Sequence, residues 1–221
     1  GPVLAAAPAD TAIEWNERGL LLTGEGRHLE AVEAFRRALA AAPGDRVITR
    51  NLALARSNLA VALLDAGDVD NAAHHAEEAL ALQDDDPVIV LNLAACRDEQ
   101  GRPQASAALV RRARAAFPDH ALVRSRMGAV LHREGDLAGA IVEWRRALEL
   151  DPGDTRLAER LERARRAAAV EATLTQQISA HFIVLHDADS AVLASLVLRE
   201  LEDARRVVGA DVQQQPADPV R

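Results

Sequence analysis

The small and apolar positions of this chain repeat about every 34 residues. Two segments align without gaps, Ala12 to Asp45 and Ala121 to Asp154. The first carries Trp15, Gly19, Leu22, Gly26, Ala31, Phe35, Ala38 and Pro43. The second carries Gly128, Leu131, Gly135, Ala140, Trp144, Ala147 and Pro152 at the matching offsets, and both end Pro-Gly-Asp. Two further units keep the frame. Residues 53–86 supply Leu59, Ala60, Leu63, Gly67, Ala72, Ala76 and Ala79, and residues 87–120 supply Leu93, Ala94, Gly101, Ser106, Val110, Ala113 and Pro118. Each unit predicts a helix A, a turn at Gly26, Gly67, Gly101 or Gly135, and a helix B. Pro43, Pro118 and Pro152 are placed to stop helix B before the next helix A.

Small residues at the eighth, twentieth and twenty-seventh places, with proline at the thirty-second, resemble the tetratricopeptide repeat (TPR) family. The resemblance implies an all-α fold: a TPR solenoid of four helix-turn-helix repeats over residues 11–154 (12–45, 53–86, 87–120 and 121–154). A long capping helix over 155–175 and a short β–α segment of an incomplete α/β unit over 176–221 complete the reading. The small positions let A and B touch closely, and Phe35 or Trp144 fills the gap toward the next repeat; Trp15 is read as core. Departures are visible. Seven extra residues, Arg46 to Leu52, are two helical turns and predict a longer helix A in the second repeat. There Ala76 stands for a large aromatic and Asp84 for the proline. Asp154 to Thr175 places Leu157, Leu161 and Ala164 on one face, as a cap covering a solenoid's apolar edge would.

Composition supports helix. The 221 residues include 47 alanines, and Ala loses no side-chain entropy on entering a helix. There are 26 arginines and no lysine, and the net charge of −8 argues against general binding to a phosphate backbone, so no nucleic-acid partner is expected. Arg111-Arg112 with Arg114, Arg145-Arg146 and Arg165-Arg166 are interspersed with acids, as on solvated helix faces. Apolar runs such as Leu59 to Leu64 fall short of the ~20 residues of a membrane span, and no membrane insertion is expected. Cys96 is alone, so neither an internal disulfide nor a thiolate zinc site is expected. Gly1-Pro2 reads as a protease-cleavage scar and residues 1–10 as a leader, with Val3 to Asp10 compatible with the start of an exported protein.

In the TPR family the concave groove is lined by the second, fifth, sixth, ninth, twelfth and thirteenth positions of each repeat. The resemblance therefore implies a peptide-binding groove at Asn16, Leu20, Asn58, Val61, Asp65, Asn92, Asp98, Glu99, Arg126, His132 and Arg133. Asn58 and Asn92 share the sixth position, and amides there can bond both N–H and C=O of a bound backbone. The acids predict a groove acidic in its middle and, through Arg126 and Arg133, basic toward its end. Asn92 and Arg126 reproduce only part of the family's carboxylate clamp, so chaperone C-terminal tails are not expected ligands.

After Thr175 the period changes. Ala180 to His186 is short, β-branched-rich and apolar on both faces, which predicts a buried strand. Asp187 to Ser190 reads as a turn, with Ser190 or Asp189 as N-cap, and Ala191 to Val208 as a helix ending near Gly209. A strand with two open edges is a pairing template. Phe182, Val184 and Leu196 are accordingly candidate self-association residues, with a homodimer through residues 180–208. Gln213 to Gln215, Pro216 and Pro219 read as a loop to a further strand. Ser179-Ala180-His181-Phe182, followed by Leu201-Glu202-Asp203-Ala204 and a Pro-led end, resembles the start of the peptidase-MA-like (gluzincin) metalloprotease domain that follows TPRs in bacterial proteins. That resemblance implies a bacterial protein, favours periplasm or cell envelope over cytoplasm, and makes the repeats the recruitment half of a zinc peptidase. The zinc-binding His-Glu-x-x-His helix of that domain is not in these residues.

The expected function is therefore a non-enzymatic scaffold binding a peptide or partner protein, without cofactor, metal or catalytic residue. His74-His75 are adjacent and point about 100° apart on a helix. His181 and His186, five apart on a strand, point to opposite faces.

Overall fold

The computed structural model describes residues 8–214, so the Gly1-Pro2 scar, most of the leader and the Gln215–Pro219 loop lie outside the described residues. Two compact units divide the chain, residues 1–159 and 160–221.

The first unit is four antiparallel helix pairs in succession. The A helices are α1 (Pro8–Gly24), α3 (Arg46–Asp65), α5 (Pro87–Glu99) and α7 (Ala121–Arg133); the B helices are α2 (His28–Ala41), α4 (Val69–Leu82), α6 (Pro103–Ala116) and α8 (Leu137–Leu150). All four B helices have 14 residues and begin and end at the same place in the repeat. Helix α4 stops there without a proline, so Asp84 in that position changes nothing. The next A helix is fixed instead by an aspartate. Asp45 Oδ1 accepts from the Val47 and Ile48 amides at 2.8 and 3.0 Å, and Asp86 Oδ1 accepts from Val88 and Ile89 at 2.9 and 3.4 Å. The four turn glycines have φ between 69 and 86°, which side chains with a Cβ rarely adopt. The seven extra residues lengthen α3 to 20 residues without a break. Among the described residues α3 is long and apolar enough to cross a membrane, yet it is a core helix that buries Ile48, Leu52, Ala53 and Leu59.

The A–B contact in each repeat is set by one pair of positions. Gly19 faces Phe35 and Gly128 faces Trp144 so closely that an added Cβ would lie 2.6 and 2.4 Å from the rings. In the second repeat the same places hold Ala60 and Ala76, in the third Ala94 and Val110, all buried. A larger residue on helix A is thus matched by a smaller one on helix B. The aromatics serve their own repeat first; Phe35 also joins a cluster with Leu52, Ala55 and Leu59 of α3. Trp15 is half-buried beneath the Arg37 guanidinium, 4.7 Å from its ring centroid. Cys96 is buried among Ala60, Ala72, Ala73, Ala76 and Leu93, where the second repeat meets the third.

Helix α9 (Thr155–Glu171) follows and buries Leu157, Leu161 and Ala164, the stripe predicted for it. It ends four residues before the expected Thr175, because Thr175–Ile178 forms a strand, β1. This strand pairs antiparallel with β2 (Ile183–His186), with Gln177 opposite Val184 and Ile178 opposite Ile183. The predicted strand Ala180–His186 is therefore shorter and has a partner, so the expectation of two open edges is corrected. It is not buried on both faces either. Val184 and His186 lie on one face, half-buried and buried, while Ile183 and Leu185 on the other are 63% and 51% exposed. The buried face meets α10 (Ala191–Gln214). Of the predicted self-association residues, Phe182 and Val184 are half-buried and Leu196 is exposed. A 3-10 turn, Ala188–Ser190, contains both predicted caps, and α10 runs on through Gly209 instead of ending there.

Candidate functional site on the A helices

Three hydrogen bonds tie successive A helices together, and each spans 35 residues. Asn51 Nδ2 donates to Asn16 Oδ1 at 2.9 Å, Asn92 Nδ2 to Ser57 Oγ at 2.8 Å, and Arg133 Nη1 to Asp98 Oδ1 at 2.8 Å. Each of the last two pairs joins one position of a repeat to the following position of the next. Asn51 and Ser106 are participants the sequence reading missed. Ser106 is buried and donates from its hydroxyl to Asp98 Oδ2 at 2.8 Å, so both oxygens of that carboxylate are engaged. A polar residue one step beyond a repeat's length from another polar residue on an A helix is the signal that finds such rungs.

The rungs change the electrostatics expected of the groove. Asp98, the acid of the middle, is neutralised by Arg133, a base of the end. Such an exposed pair contributes about 0.2–1 kcal/mol to stability. Exposed Asp65, Glu99 and Arg126 have no ion-pair partner among the described residues, so the A-helix face carries separated single charges rather than two charged zones. Arg126, Asp98 and Arg133 come together around a small depression of about 50 Å³ with Leu91, Ala95 and Val130 beneath them. Asn16, Leu20, Asn58, Val61 and Asp65 are not part of it. His132 is exposed, and its ring lies 5.5 Å from that of Trp144. Asn58 is exposed and without a hydrogen bond to the described residues, whereas Asn92 has one amide hydrogen committed to Ser57. The two amides of the sixth position therefore differ in what they can offer a ligand.

The arginine clusters are paired in large part: Arg111 with Glu134, Arg112 with Asp84, Arg114 with Glu143, Arg146 with Asp119 and Glu149, and Arg165 with Glu162. No group of three or more metal-ligating side chains occurs among the described residues.

In the second unit the hairpin turn and α10 meet at one carboxylate. Glu202 Oε1 accepts from Ser179 Oγ at 2.6 Å and from the His181 amide at 2.8 Å, and Oε2 lies 2.8 Å from His181 Nδ1. These bonds, led by that from Ser179, hold the Glu202 carboxyl down at about 2. The three residues belong to the two motifs singled out after the repeats. Ser179 and His181 each bond the glutamate rather than each other, so the arrangement is a clasp and not a nucleophile–base relay.

The chain resembles several solved structures at the level of the fold. A crystal structure of MamA gives a TM-score of 0.54 at 18% identity, covering 73% of this chain and 84% of that one. MamA from Desulfovibrio magneticus RS-1, from residue 41 to its end, gives 0.55 at 16% identity, covering 90% and 99%. The first TPR domain of human RPAP3 gives 0.50 at 21% identity, covering 55% and 95%. No curated protein sequence matches. Family models described as tetratricopeptide repeat match residues 3–46 and 63–130, together half of the chain. Those matches cover the first helix pair and the second-to-third repeat junction, where the frame of small residues, turn glycines and equal B helices is seen directly, and the chain belongs to the tetratricopeptide repeat family.

Proposed function

We propose that this protein is an interaction scaffold that holds an extended peptide segment of a partner along its A-helix face. The observation that carries the reading is the uncommitted amide of Asn58, set between exposed Leu20 and Val61 and continued by the remaining N–H and Oδ1 of Asn92. Amides so placed satisfy the N–H and C=O of an extended backbone, whatever its side chains. The rungs between A helices keep the face pre-organised, which lowers the ordering cost of binding. The paired Asp98 and Arg133 favour a ligand of mixed rather than uniform charge.

Selection from a displayed library of random peptides tests this. Enriched peptides should bind the wild type in solution. The double substitution Asn58→Ala, Asn92→Ala should weaken them about five- to tenfold, the effect of losing one or two hydrogen bonds of ~0.5–1.5 kcal/mol each. Asn58→Ala alone should leave the melting temperature unchanged. Enriched peptides indifferent to the groove substitutions, or no enrichment, would overturn the reading.

A further inference from the structure

The seven residues added to the second repeat do more than lengthen α3. Two extra turns extend the helix by ~10 Å, and on them lies a cleft of about 710 Å³ between the C-terminal halves of α2 and α4. Leu39, Leu52 and Leu82 form its apolar wall, together with Ala40, Pro43 and Ala81. Sites for small organic ligands are typically ~300–1,000 Å³, mostly apolar, with a few fixed polar groups.

The fixed polar group here is Arg56. Its residue is only 9% exposed, and it lines the cleft. Both of its hydrogen bonds leave from Nη1, one to Glu78 Oε2 and one, at 3.2 Å, to His75 Nδ1. Nε is enclosed and without a partner. The Nε–Nη2 edge, the side of a guanidinium that takes a carboxylate through two parallel bonds, thus has no acceptor in the protein. A buried donor left unpaired is costly. Glu78 faces Arg56 and Arg36 across the cleft, so one positive charge remains uncompensated within it. At Thr49 and Leu82 the cleft continues into a second depression of about 380 Å³, which adds Arg46 and Arg50 as well as Asp84 and Asp85, with Asp84 already held by Arg112. Burial, and then the charge of Arg56, push His75 below the ordinary histidine value, which keeps its ring neutral beside the guanidinium.

We infer that this cleft binds a small aliphatic monocarboxylate, with its chain against Leu39, Leu52 and Leu82 and its carboxylate on the Nε–Nη2 edge of Arg56. The site lies among α2, the start of α3 and α4, and does not use the groove residues of the proposed peptide scaffold. Decanoate, added to the whole protein and followed by calorimetry and by thermal melting, is the direct probe. Saturable binding to one site and a rise in melting temperature with ligand concentration are expected. Decanol, which lacks the carboxylate, should bind at least tenfold more weakly. Arg56→Lys keeps a positive charge but removes the bidentate edge and should weaken decanoate at least tenfold. Because Arg56 is buried, Ala81→Glu provides a second variant at an exposed cleft position that leaves the core intact; it should abolish binding by filling the site and repelling the carboxylate. Equal affinity for decanol and decanoate, or binding unaffected by Ala81→Glu, would overturn the assignment. So would the absence of saturable binding.

Discussion

At Gly128 the absence of a side chain is a packing requirement. A Cβ there would sit 2.4 Å from Trp144 Nε1, which donates to the Ser125 carbonyl at 3.0 Å. Gly128→Ala should therefore destabilise the protein by about 1–3 kcal/mol, the range for overpacking a close-packed site. Gly24 is the internal control. Nothing lies within 4 Å of its added Cβ, so Gly24→Ala at the end of α1 should be neutral or stabilising by up to ~1 kcal/mol. Urea denaturation of the two variants beside the wild type separates them. The small eighth position and the aromatic twenty-fourth were both legible in the sequence. Their reciprocity was not. Ala76 reads alone as a degraded aromatic; beside Ala60 it is the other solution to the same volume, and only contact geometry shows that the two positions are one variable.

At the scale of elements, the clasp on Glu202 decides whether hairpin and helix stay together. The carboxyl lies at about 2 in the folded protein against an ordinary 4.5. A depressed value means the charged form is favoured by the fold. The clasp's contribution is therefore complete above the ordinary value and is lost as pH falls through about 2. Amide exchange at His181, read by NMR, should accelerate over that acid range, and Glu202→Gln should bring the faster exchange to neutral pH. Exchange indifferent to both changes would show that the clasp holds nothing. The B helices and the lengthened α3 followed directly from the repeat frame. The hairpin did not, because Thr-Gln-Gln-Ile offers one apolar residue in four and no alternation to read. Gly209 misled in the opposite sense. A glycine inside a helix costs about 1 kcal/mol relative to alanine, which slows a helix without ending it. The A-helix face was legible as positions, through the resemblance to the repeat family, but not as chemistry. That Asp98 is spoken for and Asn58 is not depends on neighbours a repeat length away.

For the whole molecule, the two units present different surfaces. The repeats expose apolar residues singly, whereas the outer face of the hairpin gathers Ile178, Ile183 and Leu185, at 68%, 63% and 51% exposure. Exposed Val192, Leu193 and Leu196 on α10 add to the apolar surface of this unit. Contiguous apolar surface on a small unit marks an interaction site. If a second copy covers it, sedimentation should show weight-average mass rising across the micromolar range, and Ile183→Asp should hold the protein monomeric while its circular dichroism stays unchanged. A monomer at all concentrations would remove the homodimer as a reading of this segment. The residues to change are those of the outer face; Val184, chosen from sequence, points to α10 and its substitution would report on folding instead.

The enclosed thiol of Cys96 gives this protein a clock. Its pKa is pushed upward, chiefly by burial, so little thiolate forms while the second and third repeats remain in contact. An alkylating reagent in solution reaches it only during moments when that contact opens. In a linear array, where each repeat is stabilised by its neighbours, such openings are local and need not involve global unfolding. The labelling rate of this one cysteine, free of interference from any other in the chain, thus counts how often the middle of the array comes apart while its ends remain folded.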